Sequence, residues 1–194
     1  MVAHELLARH ELHVASERRD AAPRMVAAIG ERLSTLALER AVIELTVEGP
    51  AGDEVELLFS ANPGLRPQPV AKVASGGELA RLMLAIRLTL PGGPATMVFD
   101  EVDAGVGGAT AVTLATALRD VAKERQVLVV THLAQVAAGA DHHIGVTKTP
   151  GATSTTAGAS ALDGDGRIAE VARMLSGHPD SLTARSHAAE LLDR

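Results

Sequence analysis

Apolar residues in the first forty positions recur at helical spacing. Four of them follow the 3-4-3 spacing that is typical of a coiled-coil seam, namely Val26, Ile29, Leu33 and Leu36. Towards the N-terminus the seam is weak, and Arg19 interrupts it. We expect Pro23 to break the helix into two pieces, because an interior proline removes a hydrogen bond and collides with the preceding turn. Residues 1–40 are thus predicted to be helical, and the pattern leaves open whether they pack on their own domain or belong to a coiled coil.

A strict alternation of apolar and polar residues replaces this spacing after residue 41. The apolar members form two runs, Ile43, Leu45 and Val47 followed by Val55, Leu57 and Phe59. A turn segment rich in glycine, residues 49–53, separates the two runs. Two period-two runs joined by such a turn predict an antiparallel hairpin with one buried face.

From residue 75 onwards, helical and strand patterns alternate. The first helical stripe consists of Leu79, Leu82, Met83, Ile86 and Leu90, and a Pro-Gly-Gly-Pro segment ends it. The pattern then predicts strands over 96–99, 127–130 and 144–147, with helices over 109–123 and 133–140. Strands that alternate with helices imply right-handed crossovers and a parallel βαβαβ sheet, so the predicted fold class is α/β.

The end of the chain carries a weaker pattern. Residues 149–161 are rich in Thr, Ser, Gly and Ala, which predicts a surface loop or an irregular hairpin. Two short helices over about 167–176 and 181–193 are expected to close the chain.

Composition narrows the chemistry. The 194 residues include no cysteine, tryptophan or tyrosine, and only two phenylalanines. This excludes disulfides, thiol catalysis and cysteine-ligated zinc, and it leaves no platform for stacking on single-stranded nucleic acid. The net charge of −6 argues against a surface that follows a phosphate backbone throughout. No apolar run approaches the ~20 residues of a membrane span, so we expect a cytoplasmic protein with no membrane partner.

Ser75-Gly76-Gly77-Glu78 opens the first helix of the α/β part. One interpretation is a capping box, in which Ser75 caps the helix and Glu78 reaches back to it. The other is an anion site, because glycines and a serine at a helix N-terminus present N–H groups, a hydroxyl and the favourable end of the helix dipole to a phosphate. The pattern alone leaves both open.

Two carboxylates and a histidine follow consecutive predicted strands. Asp100 and Glu101 come directly after the strand 96–99, and His132 comes after the strand 127–130. Parallel strands place such residues at one edge of the sheet, where ligands bind. In nucleotide hydrolysis the first carboxylate would hold Mg²⁺ and the second would activate a water, while a histidine could touch the γ-phosphate.

The order of these segments resembles the C-terminal lobe of an ABC/SMC-like ATPase head, and more narrowly the RecN family of bacterial DNA repair ATPases. In this chain KVASGGELAR at 72–81 resembles the family's signature motif, and FDEVDAGVGG at 99–108 resembles its Walker B and D-loop segment. VTHLAQVA at 130–137 resembles its switch-histidine segment. The hairpin, the loop with Asn62-Pro63-Gly64 and the tail helix with Ala172-Arg173-Met174-Leu175 are also similar, so the resemblance covers nearly the whole chain.

The resemblance implies a role for each matching residue. Asp100 would bind Mg²⁺ through water, Glu101 would be the base towards the attacking water, and His132 would sense the γ-phosphate. Asp103 would communicate across a dimer. The signature residues Ser75, Gly76, Gly77 and Glu78 would contact ATP held by a second protomer.

The resemblance also implies partners and a cellular role. The cofactors would be ATP and Mg²⁺, and the partners would be DNA and either a second copy of the chain or a complementary P-loop lobe. The function would be recombinational repair of DNA double-strand breaks. The protein would be cytoplasmic and associated with the nucleoid. Residues 1–40 would be the returning end of a coiled coil, and residues 41–194 the C-terminal lobe of the head.

One element of the family pattern is missing. A phosphate-binding P-loop needs Gly-Lys followed by Ser or Thr, whereas the three lysines follow Ala71, Ala122 and Thr147. We therefore expect half of an ATP site, inactive alone, and the sequence leaves open whether the chain is a truncation, a split gene product or a fragment. The alternatives are a stand-alone dimerisation partner of a complete head, or another SMC-like or RecF-like repair ATPase.

Overall fold

The structure is a computed structural model that describes residues 2–72, 76–90, 92–150 and 155–193. The helices are α1 Val2–Thr35, α2 Gly76–Thr89, α3 Gly108–Ala122, α4 Ala134–Ala138, α5 Gly164–Ser176 and α6 Leu182–Leu192. The strands are β1 Val42–Glu48, β2 Glu54–Ser60, β3 Gln68–Pro69, β4 Thr96–Asp100, β5 Gln126–Val130, β6 His143–Pro150 and β7 Thr155–Leu162.

Helix α1 runs without interruption through Pro23, so the predicted break is wrong. An interior proline costs a helix about 3 kcal/mol, but Pro23 itself is exposed and the carbonyl that it leaves unpaired can face water. Buried residues lie on both sides of it, with Ala15 before and Ile29 after. Contacts on both sides of the proline, with the hairpin turn near Ala15 and with the main core at Ile29, offset the cost and keep the helix continuous.

The predicted seam of α1 packs on the chain's own domain. Its buried residues are Ala15, Ala22, Ile29, Leu33 and Leu36, and the helix contacts α2 and β1. Residues 2–14 differ, because all of them are exposed and several are large and apolar, among them Leu6 and Leu12.

The predicted antiparallel hairpin is confirmed by the pairing of β1 with β2. Its apolar residues face each other across the strands as Ile43 with Phe59, Leu45 with Leu57 and Val47 with Val55. The turn is fastened to α1, since the Arg18 guanidinium donates to the Gly52 carbonyl at 2.7 Å and Arg19 donates to the Gly49 carbonyl at 2.8 Å.

The central βαβ unit is also confirmed. Strands β4 and β5 pair in parallel, with Asp100 opposite Val130, and α3 forms the crossover between them. The third predicted strand lies elsewhere: residues 144–147 belong to β6, which pairs antiparallel with β7. The segment that follows β6 supplies a full-length partner, and closing a local hairpin costs less entropy than pairing with a distant strand.

The two faces of the parallel sheet have different surroundings. Phe99 on the inner face is 4% exposed and joins the main core, which α1, α2, α3 and the β1–β2 hairpin also build. On the outer face, Val98 is 65% exposed and Val130 is 61% exposed. A smaller core lies between α4, α5 and α6.

Helix α2 buries a face different from the predicted stripe. Leu82 is buried as expected, but Leu79, Met83 and Leu90 are exposed. Arg81 and Leu84 are buried in their place, because the helix contacts α1, α3 and β4 and turns this flank towards them. In the part of the chain that the structure describes, no helix is long and apolar enough to cross a membrane.

Candidate functional site

The predicted carboxylates and histidine meet at one edge of the β4–β5 sheet. Asp100 is the last residue of β4 and lies opposite Val130, the last residue of β5. Glu101 follows the first strand and His132 the second, so both emerge at this edge. Asp100, Glu101 and His132 are all exposed there, which makes them available to a ligand.

Glu101 has a left-handed backbone conformation, with φ of 55°. This conformation costs a residue other than glycine roughly 1–2 kcal/mol, and such strain collects at functional sites. It opens a tight turn over residues 101–106, in which the Ala104 N–H donates to the Glu101 carbonyl at 3.0 Å and the Val106 N–H donates to the Asp103 carbonyl at 3.0 Å.

The first residues of α2 lie directly against this turn. A Cβ on Gly76 would stand 2.7 Å from Oε2 of Glu101. A Cβ on Gly77 would stand 2.7 Å from the Ala104 Cβ and 3.0 Å from the Glu101 carbonyl oxygen. Gly77 is therefore required by the close approach of the helix to the backbone of the turn, whereas a side chain on Gly76 would meet only the movable end of the Glu101 side chain.

Two further signature residues had predicted roles. Ser75 lies outside the described residues, so its capping and its hydroxyl contact stay predictions. Glu78 is partly buried on the first turn of α2, where its negative charge offsets part of the lowering of the Arg81 pKa that burial causes.

Arg81 is a site residue that the sequence pattern did not single out. It is 6% exposed, and its Nη1 donates to the Ala104 carbonyl at 2.7 Å and to the Val102 carbonyl at 3.3 Å. Burial lowers the pKa of its guanidinium, and the charges of Glu78 and Asp103 oppose that shift. The one signal in the sequence was that Arg81 lies next to Leu82 in an apolar helix. An arginine there can be buried only where backbone carbonyls accept its hydrogen bonds, and the helix pattern does not show that such carbonyls are close.

Asp103 binds the segment that carries the histidine. Its side chain is 2% exposed, and Oδ2 accepts hydrogen bonds from the Thr131 hydroxyl at 2.5 Å and from the His132 backbone N–H at 3.0 Å. The Thr131 hydroxyl in turn accepts from the Leu133 N–H at 3.0 Å. The predicted communication across a dimer stays a prediction, and the contacts observed for this carboxylate are within the lobe.

The His132 imidazole lies beside the same carboxylate oxygen. Its Nδ1 is 3.1 Å from Oδ2 of Asp103, while its side chain is 70% exposed. A ring held through Nδ1 presents Nε2 on its other side. The arrangement therefore joins an exposed imidazole to a buried anion.

No protein-family profile matches the chain. It is 44% identical to the DNA repair protein RecN of Streptomyces coelicolor over 196 residues, which cover 91% of this chain and 34% of that protein. It is 52% identical to RecN of Deinococcus radiodurans over 139 residues, 72% of this chain and 24% of that protein. The chain is a RecN-like C-terminal lobe of the ABC/SMC ATPase type. It spans about a third of the length of its relatives.

Solved structures support the same fold for this RecN-type lobe. The Smc head domain with a coiled coil and joint from Pyrococcus yayanosii matches with a TM-score of 0.56 and 19% identity, over 80% of this chain and 31% of that one. The Smc head domain with an extended coiled coil from Pyrococcus furiosus, bound to the C-terminal domain of ScpA, matches with a TM-score of 0.50 and 24% identity, over 75% and 36%. The predicted ABC/SMC-like head fold is confirmed.

A magnesium ion at this edge would need most of its ligands from outside the lobe. Among the described residues, no group of three or more histidine or acidic side chains could enclose a metal. Mg²⁺ in phosphate-transfer sites keeps several waters and takes one or two carboxylates together with the substrate's phosphates. Asp100, exposed at the end of β4, provides one such carboxylate.

Proposed function

We propose that this chain is the C-terminal lobe of a RecN-like ATPase that acts in recombinational repair of DNA double-strand breaks. It would supply the signature motif, Walker B, D-loop and switch histidine to an ATP site that a Walker A lobe completes. The observation that carries the proposal is the convergence of Asp100, Glu101, His132, Gly76 and Gly77 at one sheet edge. The absence of any Gly-Lys pair means that a second lobe must cradle the phosphates.

The outer face of the β4–β5 sheet supports the need for a second lobe. Parallel sheets are normally covered on both faces, yet Val98, Leu128 and Val130 on the outer face are 65%, 46% and 61% exposed. These apolar residues adjoin the carboxylate edge. A P-loop lobe that covered them would bring bound ATP to Asp100 and Glu101.

Glu101 is the proposed general base. Its exposed carboxylate would accept the proton of the water that attacks the γ-phosphate, a role typically worth ~10²–10⁴ in rate. The left-handed backbone at Glu101 directs its side chain towards the start of α2, where the lack of a side chain on Gly76 leaves room for the carboxylate.

The other residues would bind and orient the nucleotide. Asp100 would hold Mg²⁺ through water, and the bound ion would neutralise phosphate charge. His132 would contact the γ-phosphate through Nε2. The first N–H groups of α2, together with Ser75 and Glu78, would face ATP on a second protomer, where the helix dipole favours an anion. Communication by Asp103 across that dimer would pass through the turn it belongs to.

The N-terminal helix fits the end of a coiled coil that returns to the head. Residues 2–14 are exposed and carry apolar side chains that a partner helix could cover, whereas the seam from Ala15 onwards packs on the lobe. The proposed division remains residues 1–40, of which 2–14 are all exposed, and residues 41–194. Binding to DNA, on the cytoplasmic nucleoid, is proposed from the similarity to RecN alone.

The test is to assay the chain by itself and then mixed with a purified RecN P-loop lobe. We expect no tight ATP binding by the chain alone and Mg²⁺-dependent ATP hydrolysis by the mixture. Glu101→Gln should abolish hydrolysis in the mixture and leave ATP-dependent dimers intact. Tight ATP binding by the chain alone, or turnover within a few-fold of wild type for Glu101→Gln, would overturn the proposal.

The same assay separates the alternative role as a stand-alone partner. Such a partner would give only its signature motif to a complete head, which hydrolyses ATP with its own glutamate. Stimulation of a complete RecN head by Glu101→Gln as strong as by the wild-type chain, without activity in the lobe mixture, would identify that role.

A further inference from the structure

We propose that Asp103 is the positioning residue of His132, and that Arg81 holds the turn that carries Asp103 against α2. The inference rests on the proposed function, because the orientation of His132 matters for hydrolysis only if that residue contacts the γ-phosphate. In this proposal Asp103 orients a side chain of its own lobe, and Arg81 stabilises the turn that carries Asp103.

The first step of the argument is the convergence of donors on one carboxylate oxygen. Oδ2 of Asp103 accepts from the Thr131 hydroxyl and the His132 backbone N–H, and it lies 3.1 Å from Nδ1 of His132. A carboxylate that is 2% exposed needs such donors to offset the loss of hydration. Every one of them comes from residues 131–132, so the buried anion fixes both the backbone and the ring at the end of β5.

The second step concerns the ring nitrogens. With the Asp103 carboxylate oxygen 3.1 Å from Nδ1, the neutral form that Asp103 would stabilise is the one with the hydrogen on Nδ1, and in that form Nε2 is the nitrogen without a hydrogen. When the ring is protonated, Nε2 also carries a hydrogen and can donate to a phosphate oxygen. Without Asp103 the 70% exposed side chain would be free to rotate and to exchange tautomers.

The third step is the attachment of Asp103 itself. Arg81 donates to the carbonyls of Val102 and Ala104, the two residues that flank Asp103 in the chain. Gly77 touches Ala104 from the same helix. The start of α2, the turn and the histidine segment are thus linked through two successive side chains, Arg81 and then Asp103.

The direct test is the tautomer of His132 in the full chain, measured by ¹⁵N NMR of the imidazole nitrogens. His132→Gln assigns the signals among the eight histidines. We expect the Nδ1–H form to be the major neutral form in the wild type, and Asp103→Ala to make it the minor one. A wild-type ring that is mainly in the Nε2–H form, or a ratio that Asp103→Ala leaves unchanged, would overturn the proposal.

A matched carboxylate serves as control. Asp120 pairs with Lys123 on the exposed surface of α3, 2.7 Å away, and Asp120→Ala should leave the tautomer ratio of His132 unchanged. If Asp103→Ala does not fold, the wild-type spectrum still decides the matter, because it requires no variant. Arg81→Met should shift the ratio in the same direction as Asp103→Ala but less, and an unchanged ratio would remove Arg81 from the proposal.

Hydrolysis provides a second measurement with a different dependence. In the mixture with the P-loop lobe, Asp103→Ala should lower kcat by about 10–100-fold, the usual effect of losing a partner that orients a functional histidine. The KM for ATP should change little, since the nucleotide is held by other groups. An unchanged kcat in an active mixture overturns the inference. A mixture that never hydrolyses ATP overturns the proposed function instead, and the tautomer still tests Asp103.

Discussion

The inner and outer faces of the β4–β5 sheet both carry large apolar residues, but only the inner face packs into the main core. Phe99 on the inner face is 4% exposed and lies in the main core, while Val98, its neighbour in the chain, is 65% exposed. The inner face holds the lobe together, and the outer face ends at the carboxylates without contributing to that core. The lobe can therefore fold with only the inner face of its sheet buried, which leaves the outer face free to bind a partner.

The largest effect on stability should come from removing the Phe99 ring from the inner face. Phe99→Ala removes a buried aromatic ring and should lower the free energy of unfolding by about 3–5 kcal/mol. Val98→Ala, one residue away on the outer face, should change it by less than about 0.5 kcal/mol, because surface substitutions usually stay in that range. Urea unfolding followed by circular dichroism measures both. Equal losses would mean that the two faces share one core.

The outer face should matter for association. Val98→Asp places a charge where the P-loop lobe would cover the sheet, and it should weaken binding of that lobe by about 2 kcal/mol or more, as at interface hot spots. The melting temperature of the chain alone should change little. Titration calorimetry with the P-loop lobe measures the affinity. Undiminished binding would place the partner on a different surface.

A smaller effect should come from the edge between the two faces. Gly76→Ala adds a methyl group 2.7 Å from the present position of the Glu101 carboxylate and should displace the proposed base. Hydrolysis in the mixture should fall about tenfold, consistent with the sensitivity of catalysis to small misplacements. The stability of the chain should be nearly unchanged, because the clash is with the end of a flexible side chain. A ligand-binding defect without loss of kcat would argue against a displaced base.

The smallest effect is a pH dependence that arises far from this sheet. His143, at the start of β6, has its pKa lowered by burial and by the charge of Arg167, with Glu170 opposing. Its folded-state pKa therefore lies below the unfolded value near 6.5, so stability should be full above about pH 6.5 and fall as the pH drops through the folded-state value. Urea midpoints measured between pH 7 and pH 5 should show the decline, and His143→Gln should reduce it. An identical decline in the variant would assign it to other groups.

Local pattern predicted much of this fold. The alternation of Ile43 to Phe59 predicted the hairpin, and the run from residue 96 to 130 predicted the βαβ unit, because each pattern is set by the period of its own element. The predicted buried face of the hairpin is buried only at the end with Ile43 and Phe59, while Val55 at the other end is 50% exposed. The continuous helix at Pro23 and the pairing of β6 depended on competition between local cost and distant contacts, which no local pattern contains.

The site was predictable in its members but not in its contacts. Asp100, Glu101 and His132 could be placed at one edge because parallel strands end together. That Asp103 turns inwards to Thr131, and that Arg81 is the buried polar residue of α2, depend on side chains that meet across more than twenty positions of sequence. Spacing along the chain carries no information on such encounters.

The backbone at Glu101 has a consequence for how such a chain would change over generations. Its left-handed conformation is one that glycine or asparagine adopts more cheaply, so replacing the glutamate would make the lobe more stable by about 1 kcal/mol while removing the proposed base. Random drift in a lobe released from selection for hydrolysis would favour those replacements. A glutamate retained at position 101 would therefore indicate that hydrolysis is still under selection. This one residue could distinguish active copies of the lobe from inactive ones.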